Sequence, residues 1–324
     1  MTYEILITDE FDNVKPKNFL KKKIDLPYNT LFKFIKEKRI TLNGKKIKED
    51  SVLKTGDVIK VWLDEIKQRE EKYVPQERKN LNVDTIHEDE NLLVLNKPAG
   101  VIVQGSQDNE TSLSLHLAYL KHKNKDTTTF NYFHVHRTDK NTSGVLVCAK
   151  NRTTLRDLNE SFRERSVVKK YICLCEGTFD QEQGEIEVDL QRNNQDAREK
   201  VSVSKGNTAN AEWIKNSHSL YKVLEEYEYN GIVFSLVEVE IKTGVMHQIR
   251  VHMKHIGHPI LGDTMYGKST LNRELNSIIS RQFLHAKEIG FTLYKKEYYF
   301  EAPLLEDLSV CLSCLLYTSP SPRD

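Results

Sequence analysis

The chain has 324 residues and an apolar fraction of 38%, enough for more than one domain built around an ordinary core. No apolar run approaches the ~20 residues that span a bilayer. The N-terminus, acidic at Asp9 and Glu10, carries no cleavable leader pattern, so a cytoplasmic protein with no membrane contact is expected. The net charge of +1 hides an asymmetry: residues 15–60 hold fourteen Lys or Arg against five Asp or Glu, an excess of nine, which leaves −8 for the remainder. Such a split suggests that one part meets a polyanion, although a solvated lysine-rich surface gives the same numbers.

Residues 16–24 predict a short helix with Phe19, Leu20 and Ile24 on one side. Residues 28–38 predict a second, in which Leu31, Phe34 and Ile35 fall at i, i+3, i+4 and form a buried stripe. Lys33, Lys36 and Arg39 are then left to face outward. Asn43-Gly44, between apolar alternations, predicts a tight hairpin, because both residues tolerate positive φ. Lys45 and Lys46 follow it, and a last short strand is expected over 58–62. Helix, helix, "RITLNGKKIK" and "LKTGDVIKV", in this order, resemble an S4 domain, a small RNA-binding module, which would occupy residues 1–64. Residues 65–80 are charged, contain Pro75 and read as a solvated linker.

The body is assigned to residues 81–308. Leu92-Leu93-Val94-Leu95 is a buried-type strand that runs into Asn96-Lys97-Pro98-Ala99-Gly100, a turn in which proline sets φ and glycine permits the reversal. Residues 145–149 form a second such strand. Asn151 is a good N-cap for a helix with Leu155, Leu158 and Phe162 on one face. Residues 171–175 return as a strand, 233–241 are the longest strand candidate, and 247–256 read as a helix. Strands and helices mix with no regular βαβ period and no internal repeat, so the fold class is α+β. Cys148, Cys173 and Cys175 lie in apolar, strand-like runs and behave as small hydrophobes. Cys311 and Cys314 form a lone C-x-x-C without two further ligands nearby, so no metal is assigned to them. The closing "SCLLYTSPSPRD" resembles translated sequencing adapter, and residues 309–324 are expected to be a non-native or disordered tail.

Two segments concentrate groups that carry chemistry. The run from His134 to Gly144, "HVHRTDKNTSG", places polar and charged residues just ahead of a fully apolar strand. They are hard to bury and read as a loop at a strand end, where functional groups are commonly held. A solvated turn closed by Gly144 is one alternative. A metal site is another, since His134 and His136 alternate onto one face and His-x-His-x-x-Asp begins some metallohydrolase sites. In the second segment, residues 243–253, helical spacing puts Ile249, Met253 and Ile256 on one stripe and His247, Arg250 and Lys254 on another. That cationic face would lie at the surface or aim Arg250 at a buried carboxylate.

"HRTDKNTSG" resembles the signature of the RluA family of pseudouridine synthases, H-R-L-D-x-x-T-S-G. "LNKPAGVIV", "KKYICLCEG", "TGVMHQIRVHMKHIGHPILGDTMYG", "RQFLHAKEIGFT" and "EAPL" are similar to its other motifs and stand in the family's order. The resemblance runs from about residue 14 to 305 and is closest to the S4-bearing members that act on large-subunit ribosomal RNA. It implies a catalytic domain with a mixed, largely antiparallel central sheet and flanking helices. It also implies isomerisation of uridine to pseudouridine within RNA, with no cofactor and no metal. Asp139 would be the nucleophile beside the sugar, Arg250 its charge partner, and Tyr171 the residue against the uracil and a base for the sugar proton transfer. The target nucleotide has to be flipped out of its helix. Arg137, with His136 beside it, would fill the vacated space. Lys97 and His247 are further candidate substrate contacts, and Lys33, Lys36, Arg39, Lys45 and Lys46 the phosphate contacts of the S4 domain. A carboxylate kept ionised in a water-poor site needs a fixed positive partner, and arginine can bind it through two parallel hydrogen bonds. Asp139 and Arg250 are therefore expected within about 4 Å. Thr138 stands where the family usually has leucine, and Val245-Met246 where Arg-Thr or Arg-Ser is common. RNA, ribosomal by the resemblance, is the one partner expected, and the protein is expected to be a monomer. An RNA-binding or ribosome-assembly protein that has lost catalysis is the competing reading. The joint presence of Asp139, Tyr171 and Arg250 argues against it.

Overall fold

A computed structural model of the protein describes residues 2–23, 28–48, 51–62, 81, 83–104, 112–126, 128, 130–193, 200–206 and 211–316. The chain divides into two units, Met1–Val74 and Pro75–Asp324. In the first, strands β1 (Thr2–Leu6), β2 (Ile40–Leu42), β3 (Lys45–Lys46) and β4 (Val58–Trp62) form an antiparallel sheet in the order β1-β4-β2-β3. Helices α1 (Pro16–Lys23) and α2 (Tyr28–Lys36) bury Phe19, Leu20, Leu31, Phe34 and Ile35 with Ile40, Ile59 and Val61. The predicted stripe is therefore the core face, while the predicted Ile24 and the linker 65–80 lie outside the described residues. The second helix stops two residues early because Lys38 adopts a left-handed φ of 58°. Asn43 and Gly44 both have positive φ, 49° and 71°, as the predicted hairpin requires. The Asn43 amide then ties the turn to β4, donating to Asp57 at 2.7 Å and accepting from the Val58 N–H at 2.8 Å. β1 has no counterpart among the predicted elements.

The second unit contains one large sheet. Its main path runs β11-β10-β12-β13-β9-β14-β8-β6-β5, where β5 is Asp84–Glu88, β6 Leu92–Lys97, β8 Ser143–Ala149, β9 Val168–Glu176, β10 Gln183–Asn193, β11 Val201–Val203, β12 Ala211–Tyr229, β13 Ile232–Ile241 and β14 Leu284–Leu293. A short β7 (Phe133–His134) pairs with β8, and β15 (Lys296–Glu301) pairs with β14. Among these strands every pairing is antiparallel except β14 with β8. Helices α3 (Leu113–Lys123), α4 (Arg152–Arg163), α5 (Gln248–His255), α6 (Ser269–Glu274) and α7 (Glu306–Leu316) accompany the sheet. The α+β class and the largely antiparallel mixed sheet stand as expected. β6 and β8 explain why their sequences are continuously apolar. Leu92, Val94, Val145 and Val147 enter the main core, whereas Leu93, Leu95, Leu146 and Cys148 enter a second cluster with Leu113 and Leu117 of α3. A strand covered on both faces leaves no polar alternation. The predicted N-cap of α4 is present, with the Asn151 side chain accepting from the Thr154 N–H at 2.9 Å.

Two expectations are corrected. The longest strand is β12, with 19 residues, rather than β13, with 10. β12 is half solvated and rich in Lys and Glu, so it lacks the apolar density by which buried strands announce themselves. Residues 309–316, set aside as tail, continue α7, and Leu308, Cys311 and Leu315 are buried in the main core. Their i, i+3, i+7 spacing is the ordinary stripe of a packed helix. Residues 317–324 lie outside the described residues. No helix among the described residues is long and apolar enough to cross a membrane.

Candidate active site

The polar run from His134 to Gly144 is the connection between β7 and β8. A connection without ladder partners leaves carbonyls that must be satisfied when covered, and here two buried cations satisfy them. Lys97, fully buried at the end of β6, donates from Nζ to the carbonyls of Pro98 (2.9 Å), Val101 (3.2 Å) and Lys140 (3.2 Å). Arg281 donates from Nη1 to the Asn141 carbonyl at 3.0 Å and from Nη2 to the Ser143 hydroxyl at 3.1 Å. Arg281 is in turn gripped by Asp307 of α7, through Nε at 2.6 Å and Nη2 at 3.0 Å. The Ser143 hydroxyl also meets His285 Nδ1 at 2.9 Å, while His285 Nε2 bonds the Ala302 carbonyl at 3.1 Å. A neutral ring that donates from Nε2 accepts at Nδ1, and burial, which lowers the His285 pKa to about 4, keeps the ring neutral. At Gly144, φ is 112° and a Cβ would lie 2.1 Å from the Ala286 carbonyl oxygen. Only glycine lets β8 approach β14 there, so this residue does more than close a solvated turn.

Asp139 sits on this loop with its side chain 24% exposed. One oxygen, Oδ2, accepts from Arg250 Nη1 at 3.1 Å and lies 4.0 Å from His247 Nε2. The expected pairing is present, but the two-pronged contact goes elsewhere. Arg250 directs Nε at 2.7 Å and Nη2 at 2.9 Å to the two oxygens of Asp263, which is wholly buried. Burial pushes the Asp263 carboxyl up, and the Arg250 fork with the N–H groups of Met265 and Tyr266 outweighs it, so its pKa ends below the ordinary value. Arg250 is itself buried on α5, not on a solvent face. The fork holds the guanidinium in one orientation, and the remaining nitrogen presents one donor to Asp139. Tyr266 covers Arg250, with its ring centroid 4.9 Å from the guanidinium carbon. The Tyr266 hydroxyl accepts from the Val201 N–H at 2.9 Å and can give its proton to His247 Nδ1, also at 2.9 Å. His247 occupies the N-cap of α5 with φ 57°, a left-handed conformation that turns the chain into the helix.

Tyr171 lies on β9 with its side chain buried, close enough to Asp139 to feel its charge. Burial first, and then Asp139, push its phenol above the ordinary tyrosine range. At neutral pH the ring therefore stands in its neutral form beside Asp139. Lys97 is corrected: it is buried under the loop and contacts carbonyls rather than RNA. Burial first and Arg281 second lower its pKa to about 7, against a smaller opposing pull from Asp139. His136 turns inward as well. Its Nε2 accepts from the Val147 N–H at 3.0 Å, and its ring stacks on Phe162 at 5.2 Å. That nitrogen is committed to the strand, which leaves only Nδ1 of the ring. Among the described residues no three His, Cys, Asp or Glu side chains converge where an ion could be held. Arg137, by contrast, is exposed beside Asp139. Lys33, Lys36, Lys45 and Lys46 of the first unit are exposed, and Arg39 lies over the Phe34 ring at 4.4 Å. Thr138 buries a hydroxyl with no hydrogen-bond partner among the described residues, and Val245 and Met246 pack against Leu190, Val251 and Tyr266. Asp263, Tyr266, Arg281 and Asp307 are absent from the sequence-derived site. "LGDTMYG" was the available signal for the first two, since an aspartate and a tyrosine three apart in a glycine-bounded turn are poor core residues.

Lys97→Met should lower activity and cost about 1–3 kcal/mol of stability, because it leaves buried carbonyls unmet. Between pH 7 and the unfolded lysine value near 10.4, the unfolded chain holds a proton that the folded chain has released. Wild-type stability should therefore gain an upward contribution with pH in that window, and the variant should lack it. Urea titrations at pH 7, 8 and 9 measure both effects. Equal pH slopes in the two proteins would show that Lys97 keeps its proton on folding.

A protein-family model for RNA pseudouridylate synthase matches residues 91–255, which span the Asp139 loop, Tyr171 and Arg250. The chain belongs to this family. It is 32% identical over 294 residues to a ribosomal large subunit pseudouridine synthase C of Buchnera aphidicola, covering 89% of this chain and 88% of that protein. It is 31% identical over 321 residues to the Escherichia coli protein of the same name, covering 96% of both. Human RNA Pseudouridylate Synthase Domain Containing 1 shares the fold with a TM-score of 0.60 and 25% identity, over 76% of this chain and all of that one. The protein is thus an isomerase that converts uridine to pseudouridine in RNA.

Proposed function

We propose that this pseudouridine synthase acts on large-subunit ribosomal RNA, with Asp139 as the nucleophile. One observation carries the catalytic assignment: Asp139 is the partly exposed carboxylate of the loop, and a buried, doubly anchored arginine holds one of its oxygens while the other remains for the substrate. The reaction breaks the N1 glycosidic bond, turns the base and joins C5 to the sugar. A carboxylate beside the sugar carbon supplies the covalent or electrostatic assistance this needs. Tyr171 meets the uracil as a neutral ring and hydroxyl donor. Arg137, exposed two residues before Asp139, fills the space left by the flipped nucleotide. The named relatives support ribosomal RNA as the substrate. Mapping pseudouridine in ribosomal RNA from cells with and without the gene tests this. An identical map in the two strains overturns the substrate assignment.

The first unit is proposed as the S4-type RNA grip, on the strength of its helix–helix–hairpin order and its exposed Lys33, Lys36, Lys45 and Lys46. Binding should release counterions, so log affinity should fall with log salt by about 0.7–0.9 per phosphate contacted. Removing residues 1–64 should flatten that slope. An unchanged slope in the shortened protein would refute a role for this unit in holding RNA.

A further inference from the structure

Lys169 is a buried cation that the site described so far does not use. It lies on β9 two residues before Tyr171, so the two side chains leave the same face of the strand. Lys169 is 9% exposed, yet among the described residues no carboxylate pairs with it. Its Nζ lies 5.7 Å from the centroid of the Phe162 ring, the ring on which His136 stacks. It therefore shares the Phe162 ring with His136 of the Asp139 loop. The acid that acts on it is Glu240, and Glu240 is already joined to Lys242. The other charges that face it are Arg165, exposed in the turn after α4, and Lys242 itself, which directly precedes the segment that carries His247 and Arg250. Three cations against one shared carboxylate leave an excess of positive charge on the strand that carries Tyr171. An ammonium on a side chain this covered keeps little hydration and has no carboxylate of its own, so it gains from an anion set against it. Burial and the two neighbouring cations indeed lower its pKa. An anion brought by the substrate offsets both the lost hydration and the repulsion of the neighbouring cations.

We propose that Lys169, with Arg165 and Lys242 at its rim, binds a backbone phosphodiester of the substrate RNA next to the flipped uridine. This rests on the reading of the protein as an RNA pseudouridine synthase and adds a charged contact on the catalytic unit to the grip of the first unit. A phosphodiester suits the site better than a carboxylate metabolite, because the protein acts on a polymer whose anionic groups necessarily pass the cleft. The competing reading is that the lysine stem only covers Phe162 while its ammonium reaches water.

Lys169→Met keeps the stem and removes the charge, and so separates the two readings. Binding of a fluorescein-labelled oligouridylate to the full chain is measured by anisotropy across a salt series, with Lys169→Arg as the charge-preserving control. The expected result is about tenfold weaker binding for Lys169→Met and a salt slope lower by about 0.7, the value of one lost single-strand phosphate contact. Lys169→Arg should retain the wild-type slope. If Lys169→Met does not fold, Arg165→Gln/Lys242→Gln, at two solvent-facing positions, replaces it and should also lower the slope. Unchanged affinity and slope in the folded variant overturn the proposal. A stem–loop RNA with a neutral methylphosphonate on either side of the modified uridine then locates the contact. It should weaken wild-type binding and leave Lys169→Met unaffected. An equal loss in both proteins overturns the placement beside the uridine. Failure of the wild-type protein to make pseudouridine would sink the functional reading instead, and the anisotropy result would still decide whether Lys169 meets phosphate.

Discussion

Asp139→Ala and Asp139→Asn are expected to reduce turnover by at least about a thousandfold while RNA binding survives, the pattern of a lost nucleophile rather than a lost grip. The carboxylate is 24% exposed and shares one hydrogen bond with Arg250, so its removal does not strand the arginine, which keeps both bonds to Asp263. Stability should therefore change little. Tritium release from 5-tritiated uridine in ribosomal RNA gives the activity, and a gel-shift titration gives the binding. Release at a wild-type rate by the alanine variant would remove Asp139 from the chemistry. A large fall in melting temperature would mean that the loop, not the reacting group, had been lost.

Arg250→Ala should have the larger structural effect. It leaves Asp263, wholly buried, with only the N–H groups of Met265 and Tyr266 as partners. Breaking a buried pair by removing one member costs about 3–5 kcal/mol. The pH dependence should reverse as well. In the wild type the Asp263 pKa lies below its unfolded value, so its contribution is present above about pH 4 and is lost as pH falls through the lower folded value. Without Arg250, burial pushes that carboxyl above its unfolded value. The folded variant then holds the extra proton and loses stability as pH rises through about 4 and beyond. Urea unfolding between pH 4 and 8 measures this. Arg250→Lys should be impaired too, since an ammonium cannot make the two parallel bonds and the third to Asp139 in one plane. Wild-type stability in Arg250→Ala would mean that Asp263 finds water and that the cluster is less enclosed than its geometry implies. Asp263→Asn separates the roles: it loosens the arginine without touching Asp139, the proposed nucleophile, and activity should fall while Asp139 remains in place.

The fork's choice of Asp263 over Asp139 has a physical reason. A fully buried carboxylate has no water to fall back on and takes the stronger, two-bonded contact. Asp139, 24% exposed, has water within reach and takes the single bond. Sequence reasoning that considers one carboxylate and one arginine cannot see this division, because it depends on which acid the fold encloses.

Local patterns determined a good deal. The i, i+3, i+4 stripe of residues 31–35, the Asn43-Gly44 turn, the Asn151 cap and the apolar runs of β6 and β8 follow from short-range sterics and periodicity, and each holds in the structure. The ordered motifs around Asp139, Tyr171 and Arg250 likewise fix the family, since they are contiguous strings. What tertiary structure alone decided is the fate of each polar side chain. Lys97 and His136 look in sequence like groups facing RNA, yet both turn inward to satisfy loop carbonyls and a strand N–H, and Arg250, expected against Asp139, gives its fork to a second, wholly buried acid. Arg281 reaches the Asp139 loop from 140 positions away and is held there by Asp307. Burial and partner identity are sums over neighbours distant in the chain. Periodicity reports which face of an element is apolar, but it carries no information about which charge the folded chain will bring against the other face.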